Sequence, residues 1–578
     1  MQLLDKDLSG LTPGQTFDVM VVGAGGAGLS AALFAAIEGA RVLVVEKTGY
    51  VGGTTALSAA TTWVPGTRQG AGVNPQDSLS EAARYLDNAI GDNAPRALRE
   101  AFLAHGRAAV DQIEAHSEVR YRAYAKHHDY ISDLGGSTLC GRALEPLPFD
   151  GRRLGPLLKL LRLPIPEFTV LGGMMVDRND INHLLGMTRS WASLKHSIKI
   201  LARHGLDRLS HPRGTRLVMG NALIGRLLYS LAQHDKVSLA LNISLCAIGP
   251  DQQGLREVTL EQNGQRLKVQ VRGGVVLASG GFNRHPEWRQ KLLPGADEAW
   301  CPAAPGHTGQ AQSLAQELGA RYGRNGLSPA FWAPVSLRRR ADGSQAVFPH
   351  FVMDRAKPGM VTVNQAGERF VNESTSYHLF GLAMQKAHQS SPAIPAYLVC
   401  DAKALRQYGL GMVRPGGKGL EPFLADGYLV RGQTVAELAA RLKVPAATLQ
   451  RTVEQINRYA ETGVDPDFHR GETAYQQNIG DATAGGRNPN LGPLNEAPFY
   501  AIRLYPGDIG ASTGLVTDAQ ARVLDEQDQP LPGLYAVGND MNSIMGGVYT
   551  APGITIGPGL VFAHLAAQHA CGRARSGA

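Results

Sequence analysis

Cysteine is scarce in this chain. The five in 578 residues, Cys140, Cys246, Cys301, Cys400 and Cys571, are odd in number and far apart. Their spacing fits neither a disulfide framework nor a metal site and points to a reducing compartment. Long apolar runs are also missing. No uncharged stretch is long enough to span a bilayer, and residues 1–16 carry charges without the apolar segment of a signal peptide. The chain is therefore read as cytoplasmic. Aromatic residues make up only 6%, and no basic-aromatic stripe accompanies the net charge of +7, so nucleic-acid binding is not expected. No repeat or low-complexity tail is visible. What the chain has in plenty is glycine, 69 residues, as suits tight turns around a cofactor. With 43% hydrophobic and 19% charged residues it reads as globular, and its length implies two or more domains.

The first dense glycine cluster stands in an informative context. Residues 17–22 read as a buried strand. Gly23-Ala24-Gly25-Gly26-Ala27-Gly28 follows at once, then a helical run over 29–38, a second strand over 41–45, and Glu46. This is the dinucleotide fingerprint with its strand, turn, helix, strand and acid in place. Gly23 makes the turn, Gly25 lets backbone approach a pyrophosphate, Gly28 lets helix pack on strand, and Glu46 can accept from a ribose hydroxyl. A second glycine pair with hydroxyls, Gly52-Gly53-Thr54-Thr55-Ala56-Leu57-Ser58, suits a further phosphate and a ribityl chain. Far downstream, 531–540 reads as a strand ending in the polar turn Gly538-Asn539-Asp540. Together these three elements resemble the FAD-binding flavoproteins of the fumarate reductase and succinate dehydrogenase type. The resemblance implies that Asn539 or Asp540 reaches the ribityl chain and makes Ser58 a candidate partner of the flavin. No histidine stands in 52–58, where the covalent members carry theirs, so non-covalent FAD is expected.

Residues 76–115 read as mostly helical. A loop stiffened by glycine follows, from Asp129-Tyr130 through Gly135-Gly136 to Gly141-Arg142; Arg142 could line a pocket, but a salt bridge within the loop is the preferred reading. Residues 151–216 stand apart. There Trp191, Leu194, Ile198 and Leu201 share one helical face, with Lys195, Lys199 and Arg203 beside them. Such a helix could rest on an anionic membrane surface, or it could be a solvated helix packed on its own domain. Runs at 237–245, 255–262 and 266–271 suggest an antiparallel meander over the adenine end, and 275–282 a buried strand returning to the nucleotide sheet. Asn283-Arg284-His285 reads as a hinge, and His307, which could touch the flavin or cap a helix, is read as structural. The expected fold is α/β: a discontinuous Rossmann-like FAD-binding domain, 1–282 and 505–578, with an inserted α+β catalytic cap at 283–504.

The C-terminal loop 546–559 has almost no charge and holds one phenol, Tyr549, among glycines. Backbone N–H groups exposed by glycine could point at a carbonyl, and the phenol could be a second donor. A C–H beside a ketone becomes acidic only when the developing enolate is stabilised, which two donors at the oxygen do. Taken together, Asp129-Tyr130, Gly135-Gly136, Gly141-Arg142, Leu147-Pro148-Phe149-Asp150, Arg369-Phe370-Val371-Asn372-Glu373, Tyr377, Tyr549, Gly553 and Gly557-Pro558 resemble 3-ketosteroid Δ1-dehydrogenases. The resemblance implies that Tyr377 removes a proton from C2 of the steroid A ring and that Tyr130 assists it. It also implies that Tyr549 and the Gly553 N–H hold the 3-oxo oxygen while a hydride leaves C1 for the flavin. The substrate implied is a small apolar ketone; the electron acceptor is unassigned. Three other readings stand beside it: a Δ4 or smaller cyclic-ketone desaturase, a fumarate-reductase-type ene-reductase, and a flavin- or lipid-binding protein without turnover.

Overall fold

The computed structural model describes residues 1–4, 8–324, 326–351 and 354–576. At its centre is a parallel sheet in the order Gln2–Leu4, Val237–Leu241, Val42–Glu46, Thr16–Val22, Gln265–Leu277 and Pro530–Ala536. Its inner strands are nearly continuous apolar runs, as strands buried on both faces must be. Helix Gly26–Ile37 packs on the sheet and on the C-terminal helix Ile556–Ser576. It is built from Ala and Leu with no β-branched residue before Ile37, so helix propensity is high. It is buried almost all round and carries no polar stripe. Full burial of Leu29, Leu33 and Phe34 contributes about 1.5–3 kcal/mol each.

Two of the expected strands are arranged differently. The run at 237–245 does not join a meander: Val237–Leu241 is a parallel strand between Val42–Glu46 and Gln2–Leu4. Every one of its residues is buried, which an edge strand of a solvated meander does not require. The meander is Ser244–Gln252, Leu255–Gln262 and the first half of Gln265–Leu277. The runs at 266–271 and 275–282 are joined, because Gln265–Leu277 is one strand of 13 residues with a register shift between Val271 and Gly274. Glycine is needed at that shift: Gly274 has φ +152°, and a Cβ on Gly273 would lie 2.3 Å from the Ala570 carbonyl oxygen of the C-terminal helix.

The cap is built on a six-stranded antiparallel sheet, Gln345–Pro349, Ala330–Arg339, Phe499–Ala511, Ala396–Cys400 and Met360–Val363, with Val430–Gly432 on the start of Phe499–Ala511. Helices Val435–Leu442 and Ala446–Thr462 pack beneath it. Phe331 and Tyr377 leave this unit and join the hydrophobic core of the nucleotide sheet, where Tyr549 also lies. Residues 76–115 form the helices Leu79–Ile90 and Arg96–Ala115. The 151–216 excursion holds helices Arg178–Leu185 and Trp191–Ser210 over a small core of Met174, Val176 and Ile200. Leu194 and Leu201 are half-buried, so the outward apolar stripe is Trp191, Ile198, Leu206 and Leu209, with Trp191 79% and Leu209 84% exposed. Among the described residues no helix is long and apolar enough to cross a membrane.

Candidate active site

One long cavity runs from the first glycine turn to the cap. At its nucleotide end the glycines do different work. Gly23 has φ +107°, and a Cβ there would lie 2.3 Å from the Ala278 carbonyl oxygen; one on Gly28 would lie 1.9 Å from the Gly23 carbonyl oxygen. Those two serve turn and packing. A Cβ on Gly25 would meet nothing within 4 Å, so the protein itself leaves that space open over the start of the helix. A pyrophosphate fits such a site. Glu46 accepts from the Ala24 N–H at 2.9 Å and from the Thr48 N–H and hydroxyl at 2.9 and 2.8 Å. It is thereby held at the cavity wall, where a ribose hydroxyl can reach it. The second glycine pair lies on the first turn, with the Gly52 N–H donating to the Ala24 carbonyl at 2.7 Å.

Of the residues read as cofactor-binding, Gly23, Gly25, Gly26, Glu46, Gly53, Thr54, Thr55, Ser58, Gly538 and Asn539 line the cavity; Gly28 and Asp540 do not. Asp540 is fully buried and accepts from the Ser279 N–H, the Ser279 hydroxyl at 3.0 Å and the Gly281 N–H at 2.9 Å. It fastens the 279–281 turn, while its neighbour Asn539 faces the cavity. Ser58 reaches the wall, but its hydroxyl donates to the Thr55 carbonyl and accepts from the Ala60 N–H, both at 2.9 Å. His307, beside Thr54 at 3.3 Å, also lines the cavity. Burial holds its imidazole down at about 4, and its Nδ1 has no partner among the described residues. An orphaned polar atom beside an open glycine cradle is what a polar cofactor would complete. The cradle and its donors fit FAD. Lys47 and Arg162, not singled out in the sequence, line the same end: Lys47 donates to Thr308 and Gln310 at 3.1 and 3.0 Å, and Arg162 to Thr48 at 3.0 Å.

At the far end three phenols meet. Tyr130 comes from the 129–142 loop, Tyr377 opens helix Tyr377–His388, and Tyr549 lies in the glycine loop. Tyr130 donates to the Tyr377 hydroxyl across 3.3 Å. Ring centroids are 5.4 Å apart for Tyr130 and Tyr377, 5.0 Å for Tyr377 and Tyr549, and 5.9 Å for Tyr130 and Tyr549. Phe331 stands edge-on to Tyr549 at 5.0 Å and Phe351 to Tyr377 at 4.9 Å. Burial raises all three phenols above their ordinary range, Tyr130 and Tyr377 well above it. Gly553 has φ +92°, and a Cβ there would sit 2.4 Å from the Thr61 carbonyl oxygen. It lines the cavity, and its N–H donates to no atom among the described residues.

The local sequence explains how these groups are held. Tyr130 is anchored by its own N–H on the Thr550 carbonyl at 2.8 Å, which also accepts from the Tyr85 hydroxyl at 2.6 Å. Asp129 accepts from Trp63 Nε1 at 2.9 Å and pairs with Arg142 at 2.8 Å; Arg142 also grips Asp77 at 2.6 Å. Arg142 is thus a salt bridge of the loop. His378, next to Tyr377, accepts from the Trp332 N–H at Nδ1 and donates from Nε2 to the Gly547 carbonyl at 3.0 Å. That bond hooks the cap helix to the Tyr549 loop. Asn283 and Arg289 both bond Asp508, so the 283–285 segment is fixed at its root in this state.

A parallel nucleotide sheet with an open glycine cradle, ending at a phenol cluster supplied by an inserted cap, defines an FAD-dependent oxidoreductase. Comparison with known proteins agrees. The model of the FAD binding domain family matches residues 18–556. The chain is 36% identical to 4-oxocyclohex-2-ene-1-carboxylate 5-dehydrogenase of Sinomonas cyclohexanicum over 95% of this chain and 93% of that one. It is 34% identical to 3-oxosteroid 1-dehydrogenase of Mycolicibacterium smegmatis over 96% and 97%. The crystal structure of 3-ketosteroid delta1-dehydrogenase from Sterolibacterium denitrificans in complex with 1,4-androstadiene-3,17-dione superposes with a TM-score of 0.89 at 33% identity, covering 96% of this chain and all (100%) of that one. The chain belongs to the FAD binding domain family and, within it, to the group that holds the 3-oxosteroid 1-dehydrogenases.

Proposed function

We propose that this enzyme inserts a C1=C2 double bond into the A ring of a 3-ketosteroid. The observation that carries this is the meeting of three phenols and an undonated backbone N–H at one end of a dinucleotide cavity. The Tyr549 hydroxyl and the Gly553 N–H hold the carbonyl oxygen, and each such donor lowers the barrier to an enolate by about 3–4 kcal/mol. Tyr377 takes the α proton. Tyr130, donating to the Tyr377 hydroxyl, stabilises the phenolate as it receives that proton. FAD, when bound, supplies the acceptor for the hydride that leaves the β carbon. No arginine of 283–504 lines the cavity among the described residues, which leaves an ene-reductase without its cationic proton donor. The test is anaerobic titration of the yellow holoenzyme with ring ketones. Bleaching by 3-ketosteroids is expected; flavin that ignores them, yet is reoxidised by fumarate once reduced, would sink the reading.

A second reading, a monocyclic ketone bearing a carboxylate, is favoured by one observation. Arg178 and His127, 3.2 Å apart, line the cavity, and a cation there can receive an acid group. Arg178→Gln would then raise KM for a carboxylated ketone about tenfold or more and change KM for neutral ketosteroids far less.

Three further points belong to the proposal. The flavin is held without a covalent bond, so denaturation releases all of it. The plan of a nucleotide domain interrupted by a cap belongs to the proposal, with its second boundary moved from 504 to 511 because Phe499–Ala511 is one strand of the cap sheet, paired with Ala330–Arg339 to its last residue; the five free cysteines suit a cytoplasmic enzyme. The exposed Trp191, Ile198, Leu206 and Leu209 stripe, flanked by Lys195 and Lys199, rests on anionic membrane. Trp191→Ser with Leu209→Ser should abolish co-sedimentation with anionic vesicles and leave turnover of a dissolved ketone unchanged.

A further inference from the structure

A phenol buried among phenols is a weak base at neutral pH. Burial, and after it the neighbouring Tyr130 and Tyr549, push the Tyr377 hydroxyl well up. The groups facing the cluster are few. Tyr549 has Tyr377, Thr555 and the His378 ring, which burial keeps neutral at about 4. Tyr130 has Tyr377, Tyr549, Tyr475 and, from the cavity side, Arg178. No carboxylate is among them. Some positive charge must favour the ionised form.

Behind Tyr130 stands Tyr475, ring centroids 4.9 Å apart. Its hydroxyl is buried and completes no hydrogen bond among the described residues. Next to that hydroxyl lies the guanidinium of Arg355, which is 0% exposed. Among the described residues the Arg355 guanidinium donates to backbone carbonyls, His350 at 3.1 Å, Phe351 at 2.9 Å, Glu373 at 2.5 Å and Thr375 at 2.6 Å, while its backbone N–H donates to Asp354 Oδ1 at 2.7 Å. No carboxylate comes within ion-pair distance among the described residues. Its neighbour Asp354 is turned to His350 Nδ1 at 2.7 Å and the Gly411 N–H at 2.9 Å. Arg256 and Arg226 are likewise held by carbonyls alone, but they lie away from the phenols, and the two arginines buried as deeply as Arg355, Arg142 and Arg470, each pair with a carboxylate, at 2.8 and 3.1 Å. The charge of Asp354 favours this cation through space, but with no ion pair of its own Arg355 is a buried guanidinium that costs free energy to hold. The carbonyls that hold it belong to the segment leading into Tyr377 and to Phe351, whose ring packs on Tyr377.

We propose that Arg355 is a positioning charge for the base: its field, passed through the Tyr475 hydroxyl to Tyr130, favours ionisation of the tyrosine cluster and brings Tyr377 within range of the substrate proton at working pH. This rests on the reading of Tyr377 as the base. Only a proton moves, from the α carbon to the phenolate, and Arg355 remains charged throughout.

The test is the pH dependence of kcat/KM of the holoenzyme in Arg355→Met, Arg355→Lys and Tyr475→Phe. In the Met and Phe variants the rising limb should move up by about one pH unit or more, so that activity below the limb falls roughly tenfold and recovers above it. The Lys variant should return the limb toward its original position. A uniform loss at all pH values with an unmoved limb would show Arg355 to be merely structural and overturn the inference. If Arg355→Met fails to retain flavin, Tyr475→Phe decides alone. NMR of isotope-labelled tyrosine separates this inference from the reading beneath it. If the lowest-titrating buried phenol moves up in Tyr475→Phe although no ring ketone bleaches the flavin, the substrate reading fails and the Arg355 inference stands. If the phenol does not move, the inference fails even in an active enzyme.

Discussion

Tyr377 and Tyr549 meet in one core yet come from different parts of the chain, and their substitution separates chemistry from cofactor binding. Tyr377→Phe should keep bound flavin and lower the rate of ketone-driven bleaching by about 10²–10⁴. Tyr549→Phe should lower it by about 10²–10³ through loss of one donor at the carbonyl. Stopped-flow flavin absorbance measures both, and a rate within a factor of a few of the parent in Tyr377→Phe would remove it as the base. These tyrosines were legible because glycine or polar flanks set them apart from ordinary core phenols. Asn539 and Asp540 were legible only as a pair: the turn at Gly538–Asp540 sends one side chain to the cavity and the next into the 279–281 turn, a choice of backbone angle that composition does not carry. Arg355 and Tyr475 were not legible at all, since they are brought to the cluster by packing and carry no local motif.

At the scale of elements, the 129–142 loop is held by charge. Arg142 is 1% exposed and joins Asp129 to Asp77, while burial lifts the Asp129 carboxyl to about 6 against the pull of Arg142. Arg142→Leu would leave the buried Asp129 and the half-buried Asp77 without their cation and should destabilise the protein by about 3–5 kcal/mol. A urea midpoint that does not fall would contradict this, and Tyr130 should lose its place before the flavin is lost. The glycine signature, the helix after it and the strand into Glu46 were readable because a cofactor imposes the same local spacing on any chain that binds it. The place of Val237–Leu241 was not: an apolar five-residue run suits either a central parallel strand or a meander, and only its burial on both faces decides. The 151–216 helix was readable as amphipathic, but half its expected face turned inward because Met174 and Ile200 offered a small core to pack on.

For the whole molecule, the buried histidines set the response to acid. Burial lowers His307, His378 and His564 from 6.5 to about 4 each. The unfolded chain therefore takes up protons below pH 6.5 that the native protein refuses until about pH 4. The stability these imidazoles contribute is fully present above 6.5 and declines as pH falls toward 4, by about 1.4 kcal/mol per pH unit for each proton of difference, offset in part below about 6 by Asp129, whose carboxyl the native protein protonates first. Urea midpoints taken across that window should fall steadily and stay level just above it; a flat profile between 6.5 and 4 would mean that these imidazoles are not held neutral.

The hook from His378 to the Gly547 carbonyl also works as a ruler. Tyr377 is the residue before His378, and Tyr549 lies two residues past Gly547, so the span between the proposed base and the proposed carbonyl clamp is fixed within a few covalent bonds on either side of one hydrogen bond. Such a device counts outward from the ketone oxygen and is blind to whatever lies beyond the first ring. The new double bond should therefore fall at the same step from the carbonyl in a single-ring ketone as in a fused one; added rings change how tightly the substrate is held, not its address.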